Sequence, residues 1–211
     1  MQIHGIHLIE QDDMVIRHQK KTGQPFESES VDAWQLACLS GGIVFDVGAY
    51  TGLYALLAAK QGACVFAFEP NPAVFARLNE NIDNNQFEGC GQIFAKQMAV
   101  SDVVGQCALV VNPRVQLTSG GAVVAGTGIT TVTIDMLEVQ DQIAAIKIDV
   151  EGHECAVIRG ALATLRRCMP LIITEALNDA ALRDQCSLLE PLGYTHTKAD
   201  QWNIIWRPEL H

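Results

Sequence analysis

The sequence predicts an α/β fold built around a parallel β-sheet. Short, fully apolar runs alternate along the chain with stretches in which apolar residues recur at helical spacing. That order is typical of parallel strands joined by right-handed helical crossovers. A length of 211 residues and a hydrophobic content of 49% fit one domain of ordinary size with a substantial core.

The first 40 residues are predicted to form an N-terminal extension, and residues 41–211 the core of the same single domain. Within the extension we expect a short hairpin between residues 3 and 17, and then a helix with Ser30 as its N-cap. The core begins with apolar strands that alternate with helices. The second of these helices has a typical start, an Asn71 N-cap followed by Pro72. These first strands are predicted at residues 43–47, 63–68 and 93–100.

The second half of the core continues this alternation around a glycine-rich loop at residues 118–128. A long helix is expected after residue 150, with Gly160 as a kink. A closing hairpin is expected near the end of the chain, with Trp202 and Trp206 on one strand face, in the core or at an interface. The remaining strands are predicted at residues 107–111, 130–134, 144–148 and 171–174, and a further helix at residues 179–189.

The charge and cysteine content narrow the classes of partner. The chain carries 24 acidic residues against 14 Lys and Arg, a formal net charge of −10. Phosphate backbones and anionic membranes are bound chiefly through Lys and Arg, so we expect neither nucleic acid nor a membrane as a partner. The segment Met1–Asp13 has no pattern of a signal peptide, and the seven cysteines form no Cys-x-x-Cys pair. We therefore expect a cytoplasmic protein with buried thiols.

One strand-to-helix turn carries most of the functional information. Residues 44–52 read Val-Phe-Asp-Val-Gly-Ala-Tyr-Thr-Gly, which predicts a strand, a glycine turn and a helix start. The turn lacks both the Gly-x-Gly-x-x-Gly pattern and the Gly-Lys-Ser/Thr ending of phosphate-binding loops. Asp46 would repel a pyrophosphate but could accept hydrogen bonds from a cationic amino acid. Glu69 ends the next strand, where a carboxylate can bind ribose hydroxyls.

Two interpretations of this turn and of Glu69 follow. The functional one is a site for a cofactor that joins a nucleoside to an amino acid. The structural one is an ordinary strand-to-helix turn, with Glu69 complementing a helix dipole. Because both features fall at adjacent strand ends, the functional interpretation is favoured.

Several segments together resemble the FkbM family of S-adenosylmethionine-dependent methyltransferases. The most specific are Thr-Ile-Asp-Met-Leu at residues 133–137 and Ile-Lys-Ile-Asp-Val-Glu-Gly-His-Glu at residues 146–154. The resemblance covers about residues 27–175, although similar sequences usually have Asn where Tyr50 stands. It implies a Rossmann-like class I methyltransferase fold: a mostly parallel seven-stranded sheet with helices on both faces and an antiparallel last strand. It also implies S-adenosylmethionine as cofactor and O-methylation of a hydroxyl on a sugar or other small molecule.

The resemblance also implies roles for individual residues of the cofactor site. Asp46, Gly48 and Thr51 would line the methionine part, and Glu69 would bind the ribose. Ser101 would flank the adenine together with its neighbour in the chain. The complete expected cofactor site is Asp46, Gly48, Ala49, Tyr50, Thr51, Gly52, Glu69, Pro70, Asn71, Ser101, Asp102 and Asp149.

Methyl transfer to an alcohol requires alignment of the reactants and a base that removes the hydroxyl proton. By the resemblance, Lys147 and Asp149 lie at a strand tip facing the methyl group, and Asp149 is the first candidate base. Glu151, His153 and Glu175 are the other candidates, although His153 fits equally well as an exposed residue at a helix start. The carboxylates of Asp149, Glu151 and Glu175 resemble Mg²⁺ ligands, but we expect no metal, because no Asn or Asp follows Glu175 immediately.

Two other functions stay open at this stage. One is a non-catalytic module that binds S-adenosylmethionine or its product. The other, more distant, is an NAD-dependent oxidoreductase, whose glycine pattern is missing. We expect a small-molecule or sugar acceptor beneath the glycine-rich loop and the segment of residues 3–29. Because the chain is short for this family, its pocket would be either open or completed by a second subunit of a homodimer.

Overall fold

The structure is a computed structural model, and it describes residues 1–10, 13–87, 89, 91–110 and 122–209. The extension contains the strands β1 (Gln2–Ile3) and β2 (Ile6–His7), followed by the helices α1 (Met14–Thr22) and α2 (Ser28–Cys38). The predicted hairpin is therefore present but shorter than expected. Ser30 as an N-cap is wrong: it lies buried in the first turn of α2, and Glu27 precedes the helix in a left-handed conformation.

The core continues with eleven strands and five helices among the described residues. In chain order these are β3 (Ile43–Val47), α3 (Leu53–Lys60), β4 (Cys64–Phe68), α4 (Pro72–Asp83), β5 (Gln92–Lys96), β6 (Ala99–Val100), β7 (Gly105–Val110), β8 (Ala122–Ala125), β9 (Ile129–Val132), β10 (Ile143–Ile148), α5 (Glu154–Arg159), α6 (Leu162–Cys168), β11 (Leu171–Glu175), α7 (Asp179–Leu189), β12 (Tyr194–Lys198) and β13 (Asn203–Pro208).

The described part of the chain forms a seven-stranded main sheet in the order β12-β13-β11-β10-β3-β4-β5. The five strands from β11 to β5 run parallel, and β13, the last strand of the chain, lies antiparallel to β11. The carboxyl ends of β3, β4 and β10 therefore meet at one edge. This topology confirms the predicted mostly parallel seven-stranded sheet with an antiparallel last strand.

Alternating side chains along the strands build two separate cores, one on each face of the sheet. Within β3, Val44 packs into the core that contains Trp34 of α2 and Leu56 of α3. Its neighbour Phe45 packs into the opposite core, which receives Leu165 of α6. Successive residues of a strand point to opposite faces, so the apolar run of β3 needs helices on both sides. The predicted helices on both faces are confirmed.

The predicted strand at residues 93–100 is two strands in the structure. The first, β5, ends in the main sheet at Lys96. The second, β6, pairs with β9 in a separate four-stranded sheet of order β6-β9-β7-β8. The chain turns between them, where the amide of Met98 donates to the carbonyl of Lys96 at 3.0 Å. The prediction of one continuous strand is therefore wrong, because apolar content alone does not reveal this turn.

Three further expectations differ from the structure or fall outside it. The long helix after residue 150 is divided at Gly160 into α5 and α6, and a side chain at Gly160 would clash with the carbonyl of Ser101. Trp202 precedes β13 and is 42% exposed, whereas Trp206 is buried within β13, so the shared strand face is wrong. Residues 118–121 of the glycine-rich loop lie outside the described residues.

Among those described, no helix has the length and hydropathy needed to cross a membrane.

Candidate active site

A cleft opens at the carboxyl ends of β3, β4 and β10. It encloses about 940 Å³, including space open to solvent. The edge of the sheet that the sequence identified therefore does hold a cleft. Ten of the predicted site residues line it: Asp46, Gly48, Ala49, Tyr50, Glu69, Pro70, Asn71, Lys147, Asp149 and Glu151.

The glycine turn after β3 joins the three strand tips. The amides of Gly48 and Ala49 both donate to the carbonyl of Phe68 at 2.9 Å. Gly48 has a φ of +79°, and a Cβ at this position would clash with the backbone carbonyl of Asp149. A residue without a side chain is therefore required where β3 leaves the sheet beside β10.

Glu69 is a buried carboxylate at the tip of β4. Only 8% of the residue is exposed. Its Oε2 accepts a hydrogen bond from the amide of Tyr50 at 3.0 Å, and its Oε1 accepts one from the amide of Asn71 at 2.8 Å. Burial raises the pKa of Glu69 to about 7, although these two hydrogen bonds favour the ionised form. Each oxygen is fixed by one backbone donor and retains a lone pair for a ligand hydroxyl.

Asp46 lies within β3 at the floor of the cleft, and it is 1% exposed. Burial raises the pKa of Asp46 to about 7, while the charge of Lys147, its neighbour in the parallel register, acts in the opposite direction. Its Oδ2 is buried and has no hydrogen-bond partner among the described residues. A buried acceptor without a partner costs free energy, so this oxygen is suited to a ligand that brings a donor.

Lys147 and Asp149 form an ion pair at the tip of β10. The Nζ of Lys147, which is 1% exposed, donates to Asp149 Oδ2 at 2.9 Å and to Asn203 Oδ1 at 3.3 Å. Burial disfavours the ammonium form, but the charges of Asp149, Glu27 and Asp46 outweigh burial and raise the pKa of Lys147. Lys147 therefore stays charged at neutral pH and holds the Asp149 carboxylate in a fixed orientation.

Comparisons with known proteins identify the family. The family model described as "Methyltransferase FkbM domain" matches residues 46–201. The chain belongs to the FkbM methyltransferase family. It is 32% identical over 164 residues to a hexuronic acid methyltransferase of Haloferax volcanii, covering 70% of this chain and 66% of that protein. It is 29% identical to the 31-O-demethyl-FK506 methyltransferase of Streptomyces tacrolimicus, covering 81% and 79%.

A solved structure also shares the fold of this FkbM domain. The crystal structure of a methyltransferase FkbM from Methylobacillus flagellatus matches with a TM-score of 0.53 at 20% identity. The match covers 79% of this chain and 43% of that one. The chain thus spans less than two thirds of the Haloferax volcanii relative and less than half of this structural neighbour. Together with the strand order, the match confirms the Rossmann-like class I methyltransferase fold.

Among the cleft residues of this FkbM domain that sequence reasoning missed, two are polar, Glu27 and Tyr54. The hydroxyl of Tyr54 donates to Glu27 Oε2 at 2.7 Å, and the Tyr54 ring centroid lies 5.1 Å from the Nζ of Lys147. Tyr54 lies in an apolar helix pattern, and Glu27 lies in the loop between α1 and α2. Neither residue therefore belongs to a local sequence motif that predicts a site. The one available signal is that Tyr54 falls in the first turn of the helix that follows the glycine turn.

Two predicted cofactor residues of the FkbM domain contact the extension. Thr51 is buried but is not among the residues that line the cleft, and its Oγ1 donates to Asp13 Oδ2 at 2.5 Å. Tyr50 lines the cleft, and its hydroxyl accepts from the amide of Met14 at 3.2 Å. The start of α1 is therefore tied to the glycine turn. Gly52 also lies outside the lining, and it precedes α3 as the N-cap with a φ of +99°.

Ser101, Asp102 and His153 form a cluster beside the cleft and are not among its lining residues. The Oγ of Ser101 lies 2.9 Å from His153 Nε2 and 3.2 Å from Asp102 Oδ1. Arg159 pairs with Asp102 at 3.0 Å and lowers the pKa of that carboxyl. Burial lowers the pKa of His153. The contacts with adenine and the catalytic role of His153 stay predictions.

Glu175, at the end of β11, is a half-buried carboxylate that does not line the cleft. It pairs in register with Asn203 of β13, the residue that accepts from Lys147. Burial raises the pKa of Glu175 to about 8, and the charges of Asp149 and Glu151 act in the same direction. Glu175 is therefore largely protonated at neutral pH, and its role as a base stays a prediction.

Proposed function

We propose that this protein transfers the methyl group of S-adenosylmethionine to a hydroxyl group on a sugar or another small molecule. The observation that carries the proposal is the arrangement in one cleft of two buried carboxylates, Asp46 and Glu69, beside the Lys147–Asp149 pair. The family supports methyl transfer as the reaction. The names of the two curated relatives, one acting on a hexuronic acid and one on a demethylated FK506, support a sugar or small-molecule acceptor.

The residues present suit the proposed cofactor. Glu69 would accept hydrogen bonds from the ribose hydroxyls, since each of its oxygens keeps a lone pair. The unpartnered Oδ2 of Asp46 would accept one from the ammonium of the methionine part, and a cation there would favour its ionised form. When bound, S-adenosylmethionine supplies an electrophilic methyl group on a sulfonium.

The Lys147–Asp149 pair would handle the proton of the acceptor. Asp149 takes up the hydroxyl proton at its carboxylate, which is exposed enough on the cleft side to meet an acceptor. Lys147 cannot serve as the base, because its raised pKa keeps it protonated. It orients the carboxylate and compensates the negative charge of the acidic groups around it. We propose that no metal takes part in this reaction.

The proposal is tested first by ligand binding and then by methyl transfer. Saturating S-adenosylhomocysteine should raise the melting temperature, because a ligand of the folded state stabilises it. S-adenosylmethionine with a labelled methyl group should then label at least one acceptor in a panel of neutral sugars, uronic acids, polyketide alcohols and phenols. The matched control is Asp141→Asn. Asp141 is an exposed acid that precedes the amino end of β10, the end opposite to Asp149, and its replacement should change neither result.

The negative outcomes separate the alternatives. An unchanged melting temperature at saturating S-adenosylhomocysteine would contradict the cofactor assignment. Binding of S-adenosylhomocysteine without labelling of any acceptor would favour the non-catalytic binding module. A rise in melting temperature with NAD, and not with S-adenosylhomocysteine, would favour the oxidoreductase.

A further inference from the structure

A second cluster of reactive side chains lies away from the cleft, where α7 packs beside the edge strand β12. Cys186 lies on α7, Glu190 in the 3₁₀ turn that follows it, and His196 on β12. One ligand atom from each of the three lies within 4.8 Å of the other two. Within the part of the chain that the structure describes, no other group of three His, Cys, Asp or Glu side chains meets this closely.

The local structure explains why the three side chains meet. Cys186 and Glu190 are four residues apart at the end of a helix, so they share one face. His196 pairs in register with the buried Trp206 of β13, and the two rings pack with centroids 4.8 Å apart. This contact restrains the imidazole on the side of the strand where its Nδ1 faces α7.

The geometry argues against a catalytic thiol relay. In such a relay the imidazole uses one nitrogen for the nucleophile and the other for the carboxylate. Here the Sγ of Cys186 lies 4.0 Å from Nδ1 of His196, and Oε1 of Glu190 lies 3.8 Å from the same Nδ1. All three atoms face one point, which is the arrangement of ligands around a single cation.

We propose that Cys186, Glu190 and His196 form a binding site for one Zn²⁺ ion. Thiolate sulfur, imidazole nitrogen and carboxylate oxygen are all ligands that zinc accepts, and tetrahedral coordination would leave a fourth position for water. Bonds of about 2.0–2.3 Å to zinc place tetrahedral ligand atoms about 3.5 Å apart. The observed separations are 3.8 and 4.0 Å to Nδ1 and at most 4.8 Å between any two of the three atoms, so side-chain rotations would bring them to that value.

Charge balance supports a divalent cation at this site. A thiolate and a carboxylate together carry two negative charges, which the ion neutralises. Burial, together with the nearby Glu190 carboxylate, raises the pKa of the Cys186 thiol, so the thiol is protonated without a metal. Binding would release that proton to solvent and form the sulfur–metal bond. The bound ion would join α7 to β12, the edge strand of the main sheet.

The test uses the whole, reduced, metal-free protein titrated with Zn²⁺ and, as a spectroscopic substitute, Co²⁺. We expect one equivalent of Zn²⁺ to bind and raise the melting temperature, and Co²⁺ to give a thiolate-to-metal charge-transfer band. Cys186→Ser should abolish the band, and His196→Ala or Glu190→Gln should weaken Zn²⁺ binding at least about tenfold. The matched control is Cys155→Ser, another half-buried cysteine, on the neighbouring helix α5.

The metal-free melting temperature of each variant shows whether it is folded, and only folded variants are compared. Failure of the wild-type protein to bind one equivalent of Zn²⁺ would overturn the proposal. A charge-transfer band that persists in Cys186→Ser, or that is lost in Cys155→Ser, would also overturn it. These outcomes do not depend on methyl transfer, so they leave the proposed function of the cleft untouched.

Discussion

Glu69 and Asp149 occupy equivalent places in the sheet and differ in their partners. Each carboxylate stands at the tip of a parallel strand and lines the same cleft. Glu69 is held by two backbone amides and is 8% exposed. Asp149 is paired with the ammonium of Lys147, and its side chain is 32% exposed. The fold therefore places both carboxylates at the edge of the cleft, while the neighbouring residues determine the exposure and the hydrogen-bond partners of each one.

The difference follows from the residue two positions earlier in each strand. In β10 that residue is Lys147, which points to the same face as Asp149 and supplies a positive charge. In β4 it is Ala67, which supplies none. Burial without a cation raises the pKa of Glu69 to about 7, which suits a group that exchanges hydrogen bonds with a neutral ligand. The pairing with Lys147 fixes the orientation of the Asp149 carboxylate, which suits a group that must be aligned with an acceptor hydroxyl.

Replacing Asp149 should give the largest effect on activity. Asp149→Asn keeps the shape and the hydrogen bond from Lys147 but removes the base, so methyl transfer should fall by about 10²–10⁴-fold. Affinity for S-adenosylhomocysteine, measured by calorimetry, should change little. A variant that retains full transfer would remove Asp149 from the chemistry and would favour another base.

Removing Lys147 should erase the difference between the two strand tips. Lys147→Met fills the same space but leaves Asp149 and the buried Asp46 without their cation, so the free energy of unfolding should fall by roughly 3 kcal/mol. Urea unfolding measures this, with Lys198→Met on the edge strand β12 as the exposed control. Equal stability of the two variants would show that the pair contributes nothing to the fold.

At the other strand tip, Glu69→Gln should act on binding. The amide keeps the size of the side chain, but it loses the charge and one of the two acceptor oxygens. Affinity for S-adenosylhomocysteine should therefore fall about tenfold or more, a loss of about 1.4 kcal/mol. Calorimetry with the Asp141→Asn control measures the change. Unchanged affinity would remove Glu69 from the cofactor site.

The raised pKa of Glu69 predicts a pH dependence with a definite sign. Below about pH 7 the carboxyl becomes protonated and loses acceptor capacity, so cofactor affinity should fall several-fold between about pH 8 and about pH 6. Stability should move in the opposite direction. The folded pKa is above the ordinary value of 4.5, so the stability contribution of Glu69 is present below pH 4.5 and is lost as pH rises to about 7. Glu69→Gln should reduce the pH dependence of both properties, and the part that remains belongs to groups such as Asp46, whose pKa burial also raises to about 7. Profiles identical to wild type would assign the whole dependence to such other groups.

The smallest expected effect concerns the contact between Tyr50 and the extension. Tyr50→Phe removes the acceptor for the Met14 amide, a cost of about 1 kcal/mol or less. Hydrogen exchange at the Met14 amide should become faster, while exchange in β10 should stay as in the wild-type protein. Unchanged exchange at Met14 would show that this hydrogen bond does not hold the start of α1.

The parts of the site that the sequence predicts are those set by local pattern. Asp46, Glu69 and Asp149 each follow or end a short apolar run, and such runs are buried parallel strands whose carboxyl ends meet. For the same reason strands β3, β4, β10 and β11 lie within a residue or so of their predicted places.

The parts that the sequence does not predict depend on contacts between distant segments. Asn203 reaches Lys147 across 56 positions, and Glu27 reaches Tyr54 across 27. Thr51 belongs to the predicted motif, yet its hydroxyl is engaged by Asp13, 38 positions earlier. Nothing in the local sequence reports these partners, because only tertiary packing brings the segments together.

Gly48 has a consequence for protein engineering. Its backbone conformation and the adjacent carbonyl of Asp149 leave no room for a side chain, so every member of a mutant library that varies this position, apart from glycine itself, would be strained and destabilised. Phe26, Met98 and Leu109 also line the cleft and belong to other parts of the fold. Acceptor preference is therefore best diversified at these three positions, with residue 48 kept as glycine.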